Sequence, residues 1–236
     1  MAVKFLGGAV DYLLGGPAVG GASEVRLQRW LALPAPQLAL PHARARYVVV
    51  DREASRAGAR GERLIAIGAA AVTRMELDLG GCFAAVLRQD RAGADADRPA
   101  RGQGGQGQPA GIDSPRVMLD FLDYLGRAPL VAFDAAPTRR AVERAVKHIL
   151  GVPLRRPWID LAALLPTLFP NAGCATLGEW LGRCGLAAGA RPGAIGDAFA
   201  TAQLLQVALA EADRAGMICA AHLLERQAAR DRPDAR

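Results

Sequence analysis

Three strand-forming runs stand close together in this chain: "YVVVD" (47–51), "RLIAIGAAAVT" (63–73) and "CFAAVLRQ" (82–89), separated by short polar or glycine-containing turns. Runs linked this closely pair antiparallel, because a parallel connection needs a dozen or more residues. After them the pattern changes to alternation. "DSPRVMLDFLDYLG" reads as a helix capped by Ser114, with Pro115 in its first turn and Gly126 at its stop; "PLVAFD" reads as a strand, "PTRRAVERAVKHIL" as a helix and "PWID" as a short strand. Helices follow in "LAALLPTLF", "ATLGEWLGRCGL", "GAIGDAFATAQLLQVALAEADRA" and "MICAAHLLERQAA". This order predicts an α/β fold, a mixed sheet of three antiparallel strands extended by strands alternating with helices and covered by helices.

The spacing of these signals divides the chain into three parts. Residues 1–45 form an N-terminal extension rich in Pro and Gly, with one helix in "SEVRLQRWLAL" for which Ser23 is the expected N-cap. Residues 46–212 form the main domain, within which 89–113, full of Gly, Asp, Arg and Gln and poor in apolar residues, reads as a flexible surface loop. Residues 213–236 form a C-terminal helix and a charged tail. "GQGGQGQ" lacks the G-K-[ST] ending of a phosphate loop.

The first strand ends in a pair of acids. In "RYVVVDREAS", Asp51 and Glu53 are two positions apart, so in a continuing strand their carboxylates share a face and repel by an amount on the order of 1 kcal/mol. A cation would remove that conflict. A third carboxylate, Asp197, stacks in its helix over Thr201, Leu204, Leu205 and Ala208, the face that packs on the sheet, although an acid in a first helical turn is also favoured by the helix dipole alone. Three carboxylates at the end of a central strand suit Mg²⁺ or Mn²⁺, hard cations that prefer oxygen, as one or two ions.

Charge points to an anionic partner. Lys and Arg number 29 against 23 Asp and Glu, a net charge of +6 that favours nucleic acid, although the dominance of Arg, Ala and Gly also tracks a GC-rich coding composition. Cys82, Cys174, Cys184 and Cys219 form no C-x-x-C pair, and the surroundings of Cys82, Cys174 and Cys219 suit buried thiols in a reducing, cytoplasmic setting. The apolar stretch at the N-terminus is broken by Asp11 and by Gly and Pro, against an export signal, and no run is long enough for a membrane span.

Taken together, "YVVVDREAS…RLIAIGAAAV", "PLVAFDAAPTRRAV", "PWIDLAALLP…ATLGEWLGRCGL" and "GAIGDAFATAQLLQVAL" resemble the DnaQ-like (DEDDh-type) exonucleases, of which the epsilon proofreading subunit of bacterial DNA polymerase III is an example. The resemblance runs from Tyr47 to Leu209 in the right order. It implies a ribonuclease-H-like fold and metal-dependent hydrolysis of phosphodiesters from the 3′ end of DNA or RNA, with a polymerase or other protein as a further partner. The D-x-E motif falls on Asp51 and Glu53 and the last acidic residue on Asp197, so these three are the implied catalytic and metal-holding residues. The positions that follow, Ala54, Ser55 and Arg56, are the implied nucleic-acid contacts.

This sequence departs from the pattern in several places. The middle acid falls on Thr138 and the general-base His on Pro192, neither of which can do that work; loss of such a base typically costs about 10²- to 10⁴-fold in rate. Ala54 stands for a Thr, Arg56 for a Gly, and Arg101 where a His is expected. Asp134, four residues before Thr138, is the candidate replacement carboxylate, with an N-cap as its other reading. Asp160 reads as an N-cap or a ligand, Trp158 and Trp180 as core residues or base-stacking platforms, and Arg52 as a salt-bridge partner or phosphate contact on the far face of the strand. His42, His148 and His222 all lie away from the motifs. The expectation is a 3′–5′ exonuclease with weakened or lost activity, or alternatively a non-catalytic nucleic-acid-binding or protein-interaction module of the same descent.

Overall fold

The computed structural model describes residues 21–55, 63–87, 114–186 and 193–231. The expected loop at 89–113, Arg56, Arg101, Pro192, the Gly-rich start and the charged tail lie outside the described residues.

The chain forms one five-stranded mixed sheet. Its strands are β1 (Arg46–Ala54), β2 (Leu64–Thr73), β3 (Glu76–Val86), β4 (Leu130–Ala132) and β5 (Trp158–Asp160), in the order β3-β2-β1-β4-β5. β1, β2 and β3 pair antiparallel, whereas β4 joins β1 and β5 joins β4 in parallel, as crossover helices require. Central β1 is buried on both faces through Tyr47, Val48, Val49 and Val50, which explains its unbroken apolar run.

Seven helices are described: α1 (Ala22–Leu31), α2 (Ser114–Leu125), α3 (Ala135–Leu150), α4 (Leu161–Leu168), α5 (Leu177–Arg183), α6 (Ala194–Arg214) and α7 (Ala220–Asp231). They build a separate core on each face of the sheet. On one face Val48, Val50 and Ile67 meet α2 and α3, and Leu27 and Trp30 of α1 join the same core. On the other, Tyr47, Val49 and Ala70 meet α6 and α4, with Leu223 of α7.

The extension is fastened at both of its described ends. Arg26 of α1 bonds Asp120 and Asp123 of α2, and the Arg156 guanidinium lies over the Trp30 ring. Further along, Pro41 bridges to Cys219, and His42 is buried between β1 and the α6–α7 connection. The His42 Nε2–H donates to the Met217 carbonyl at 2.7 Å, which leaves Nδ1 to accept from the Tyr47 hydroxyl at 2.6 Å. Burial lowers the pKa of this imidazole.

Several local expectations are corrected. Helix α1 begins at Ala22 with Gly21 as its N-cap, so Ser23 lies inside the helix. β3 starts at Glu76 instead of Cys82, because the hairpin turns through Arg74 and Met75, both with positive φ, and the register slips between Ala70 and Val72. Cys82 is exposed on this outermost strand and Cys174 half-buried; of the three thiols expected to be inside, only Cys219 is buried. Trp158 and Trp180 are core residues, at 4% and 1% exposure.

Candidate active site

Asp51 and Glu53 leave the core at the carboxyl end of β1, on the face covered by α6. Alternation puts them in line with Tyr47 and Val49, while Arg52 stands on the opposite face beside its ladder partner Ile67. Asp51 is half-buried and Glu53 exposed. The first turn of α6 carries Asp197, whose backbone N–H bonds the Gly193 carbonyl; it is exposed, unlike Thr201, Leu204, Leu205 and Ala208 with which it is expected to pack inward, because it stands at the open end of the helix.

Two glycines make this approach possible. Gly68 of β2 is the ladder partner of Asp51, and a Cβ built on it would lie 2.2 Å from the Ala194 backbone carbonyl atoms and 2.3 Å from the Ile195 nitrogen. Only a residue without a side chain lets the start of α6 lie directly against the strand. Gly193, the N-cap of α6, has φ 119°, and a Cβ there would meet Glu53 Oε1 at 2.8 Å. That oxygen accepts a hydrogen bond from the Ala194 N–H at 3.2 Å, so the Glu53 carboxylate caps the helix and ties β1 to α6.

The three carboxylates act on one another. Burial first, and then the charges of Asp197 and Glu53, push the Asp51 carboxyl up to about 6, against a 2.7 Å hydrogen bond from the Arg52 N–H and the Arg52 charge. Asp197 is raised by burial and by the Glu53 charge. An oxygen-only, electron-rich set short of positive charge fits a hard divalent cation in its chemistry. Among the described residues no group of three or more His, Cys, Asp or Glu is drawn together to the spacing of metal ligands.

The remaining candidates fall elsewhere. Asp134 is exposed and occupies the N-cap position of α3, but its side chain makes no capping bond, and its charge acts on Asp160. The capping is done by Asp160, whose Oδ2 accepts from the Ala135 N–H at 3.0 Å and whose Oδ1 accepts from Ala163 N–H at 3.2 Å, so that one carboxylate serves α3 and α4. Thr138 is buried at 6% exposure in α3. Ala54 follows a register shift in the β1–β2 ladder, and Ser55 exchanges hydrogen bonds with Arg63, its hydroxyl accepting from the Arg63 N–H at 3.1 Å. Sequence reasoning missed Gly68, Gly193 and the cap from Glu53; a lone Gly within the apolar run "LIAIGAAAV" was the available signal for the first.

No family model matches the sequence, and no curated protein matches it. Solved structures do. Cell-death related nuclease 4 (CRN-4) superposes with a TM-score of 0.55 at 15% identity, covering 77% of this chain and 67% of that one. The nuclease domain of 3'hExo, a DEDDh family member bound to rAMP, gives 0.53 at 12% identity, covering 75% and 94%. E. coli Exonuclease I in complex with a dT13 oligonucleotide gives 0.54 at 10% identity, covering 74% of this chain and 43% of its own. The chain therefore has the DnaQ-like, ribonuclease-H-like exonuclease fold. At these identities the likeness is one of fold.

Proposed function

We propose that this protein is a metal-dependent 3′–5′ exonuclease acting on the 3′ ends of DNA or RNA, at a rate reduced by the residues at two catalytic positions. The observation that carries this reading is the packing of the start of α6 against β2 at Gly68, the ladder partner of Asp51, which brings Asp197 to the Asp51 carboxyl, raised first by burial and then by the charges of Asp197 and Glu53. A bound Mg²⁺ or Mn²⁺ supplies activation of water and neutralisation of charge on the attacked phosphate. Asp51 and Asp197 offer the oxygens that would hold it, and Glu53 holds α6 in place while leaving Oε2 available. Ala54 and Ser55 follow at the end of β1, and together with Arg56, which is outside the described residues, they are the proposed contacts to the terminal nucleotide. Thr138 carries no charge and Pro192 no proton-transfer group, so a weakened rate is expected.

The catalytic unit in this reading is 46–212, working in the cytoplasm. The test uses end-labelled single-stranded DNA and RNA in Mn²⁺, with Asp51→Ala beside the unaltered protein. Shortening from the 3′ end by the unaltered protein alone supports the proposal. Equal degradation by both proteins overturns it, and salt-sensitive retention of the strand without shortening assigns the chain to the non-catalytic alternative.

A further inference from the structure

On its own face of the sheet, Asp51 has Gly68 on one side and Phe133 on the other. Gly68 is its ladder partner in β2 and lies under the start of α6. Phe133 follows from the parallel register: Val49 pairs with Val131, so two residues further on Asp51 stands level with Phe133. Alternation agrees, since Val48, Val50, Leu130 and Ala132 belong to the α2–α3 core whereas Tyr47, Val49, Val131 and Phe133 belong to the α4–α6 core. The backbone stays extended past the end of β4, because the Phe133 carbonyl accepts from the Ala162 N–H at 2.7 Å and so continues the β4–β5 pairing. Paired strands run about 5 Å apart, so the ring and the carboxylate stand side by side.

We infer that Phe133 is the platform on which the unpaired base of a 3′-terminal nucleotide stacks, an assignment that rests on the nuclease reading given above. Val49, Val131 and Ile159 on the same face are wholly buried, whereas Phe133 is only partly so. It is the ring at which this core opens, at the end of the sheet where Asp51 and Glu53 leave it. Nor is the ring already engaged. Phe83 packs on Phe121 and Tyr124, and Phe169 on Trp180, but among the described residues Phe133 has no ring or cation partner. Phe199 has none either, but it is two residues from Asp197 in α6 and does not share its side of the helix; it lies on the side of Gln206, which bonds the Met75 carbonyl at the β2–β3 turn. Asp51 therefore lies between the first turn of α6, with Asp197, and the Phe133 ring. A nucleobase laid on that ring directs its sugar and phosphodiester toward the acids. Every base has a π-face, so such a platform asks for an unpaired terminal base and not for a particular one.

The experiment measures anisotropy, in EDTA, of two labelled oligodeoxythymidylates of equal length, one ending in thymidine and the other in an abasic tetrahydrofuran residue at its 3′ end. The variants are Phe133→Leu, which removes the ring and keeps an apolar side chain, Phe133→Trp, which keeps a stacking surface, and the control Phe169→Leu, with circular dichroism confirming that each folds. The unaltered protein, Phe133→Trp and Phe169→Leu are expected to prefer the thymidine end by about tenfold, and Phe133→Leu to bind both ends alike. The indole added in Phe133→Trp should also be quenched by the thymidine-ended strand and not by the abasic one, a readout that stands even where Phe133→Leu fails to fold. Equal or absent binding of the two strands by the unaltered protein, a preference kept by Phe133→Leu, or an indole blind to the terminal base overturns the assignment. Asp51-dependent shortening without a thymidine preference counts against the platform alone, and a thymidine preference without shortening counts against the nuclease reading alone.

Discussion

Gly68 and Ala194 touch backbone to backbone, with the place of a Gly68 Cβ only 2.2 Å from the Ala194 carbonyl carbon and oxygen. A methyl group there cannot be absorbed by a side-chain turn, so Gly68→Ala must push the start of α6 off the sheet. The expected cost is about 1–3 kcal/mol by chemical denaturation, together with weaker Mn²⁺ binding by calorimetry. Gly178→Ala in α5, where a Cβ meets nothing within 4 Å, is the matched control and is expected to stabilise by about 0.5 kcal/mol. Equal behaviour of the two variants would refute the close-approach account.

Asp51 gives a pH dependence of definite sign. Its folded carboxyl titrates at about 6, above the unfolded value of 3.8, so its contribution to stability is fully present below about pH 3.8 and is lost as pH rises through 6. Asp51→Asn removes that loss. The variant is expected to be more stable than the unaltered protein at pH 7.5 in EDTA, with the gap closing toward pH 4. Mn²⁺ should raise the melting temperature of the unaltered protein and leave Asp51→Asn unmoved. A gap that does not change with pH would count against burial and carboxylate repulsion as its cause.

His42 titrates with the opposite sign. Its folded pKa is lowered, so the stability it contributes is present above the unfolded value of 6.5 and is lost as pH falls below it. Since Asp51 and His42 partly offset each other between pH 4 and 6.5, the comparison must be a difference curve. Unaltered protein minus His42→Gln should fall across that window. Tyr47→Phe, which leaves Nδ1 without its 2.6 Å donor, is expected to cost about 1–2 kcal/mol at neutral pH. A flat difference curve would rule out a neutral, buried imidazole.

Two neighbouring aspartates should behave very differently. Asp160→Ala uncaps both α3 and α4 and is expected to cost about 2 kcal/mol, whereas Asp134→Ala, exposed and without a capping bond, should stay within about 0.5 kcal/mol. Urea denaturation of the two variants decides this. A larger loss from Asp134→Ala would reverse the assignment of the cap.

A charge introduced at Thr138 tests the reduced rate proposed above. Thr138→Asp places a carboxylate at a buried position and is expected to destabilise the protein by about 1–3 kcal/mol in EDTA. If the residue faces the cation site, Mn²⁺ should recover part of that loss and 3′-end shortening should quicken. Destabilisation that Mn²⁺ leaves unchanged would place position 138 outside the site.

Much of this arrangement was legible in the chain because it follows from period and order. The run "YVVVD" announces a strand buried on both faces, and the succession of three strands and then helix and strand in turn fixes the sheet. The aligned acids Asp51 and Glu53 follow from strand alternation alone, and Asp197 from its helical spacing to Thr201, Leu204 and Leu205, although its own side chain is exposed. What could not be read is what depends on distant atoms meeting. Nothing in "PLVAFDAAPT" says that the cap of α3 comes from Asp160, 25 residues on, because a cap from another element leaves no local signature. Gly68 looks like any small residue in an alanine-rich strand until α6 is laid against it. The exposure of Cys82 was missed because β3 begins earlier than its most apolar stretch.

The bond from His42 to Met217 spans 175 positions. It links a residue just before the first strand of the sheet to one just beyond α6, so every strand among the described residues lies within the stretch it closes. A ribosome making this chain in order would have released the whole sheet before that fastening could form. Tyr47, whose hydroxyl leans on the same imidazole, and Asp51, which waits for Asp197, belong to β1 and are completed by His42's partner Met217 and by α6. The candidate site is therefore assembled only after α6 has been made, and a shortened chain ending before α6 would carry Asp51 and Glu53 without Asp197.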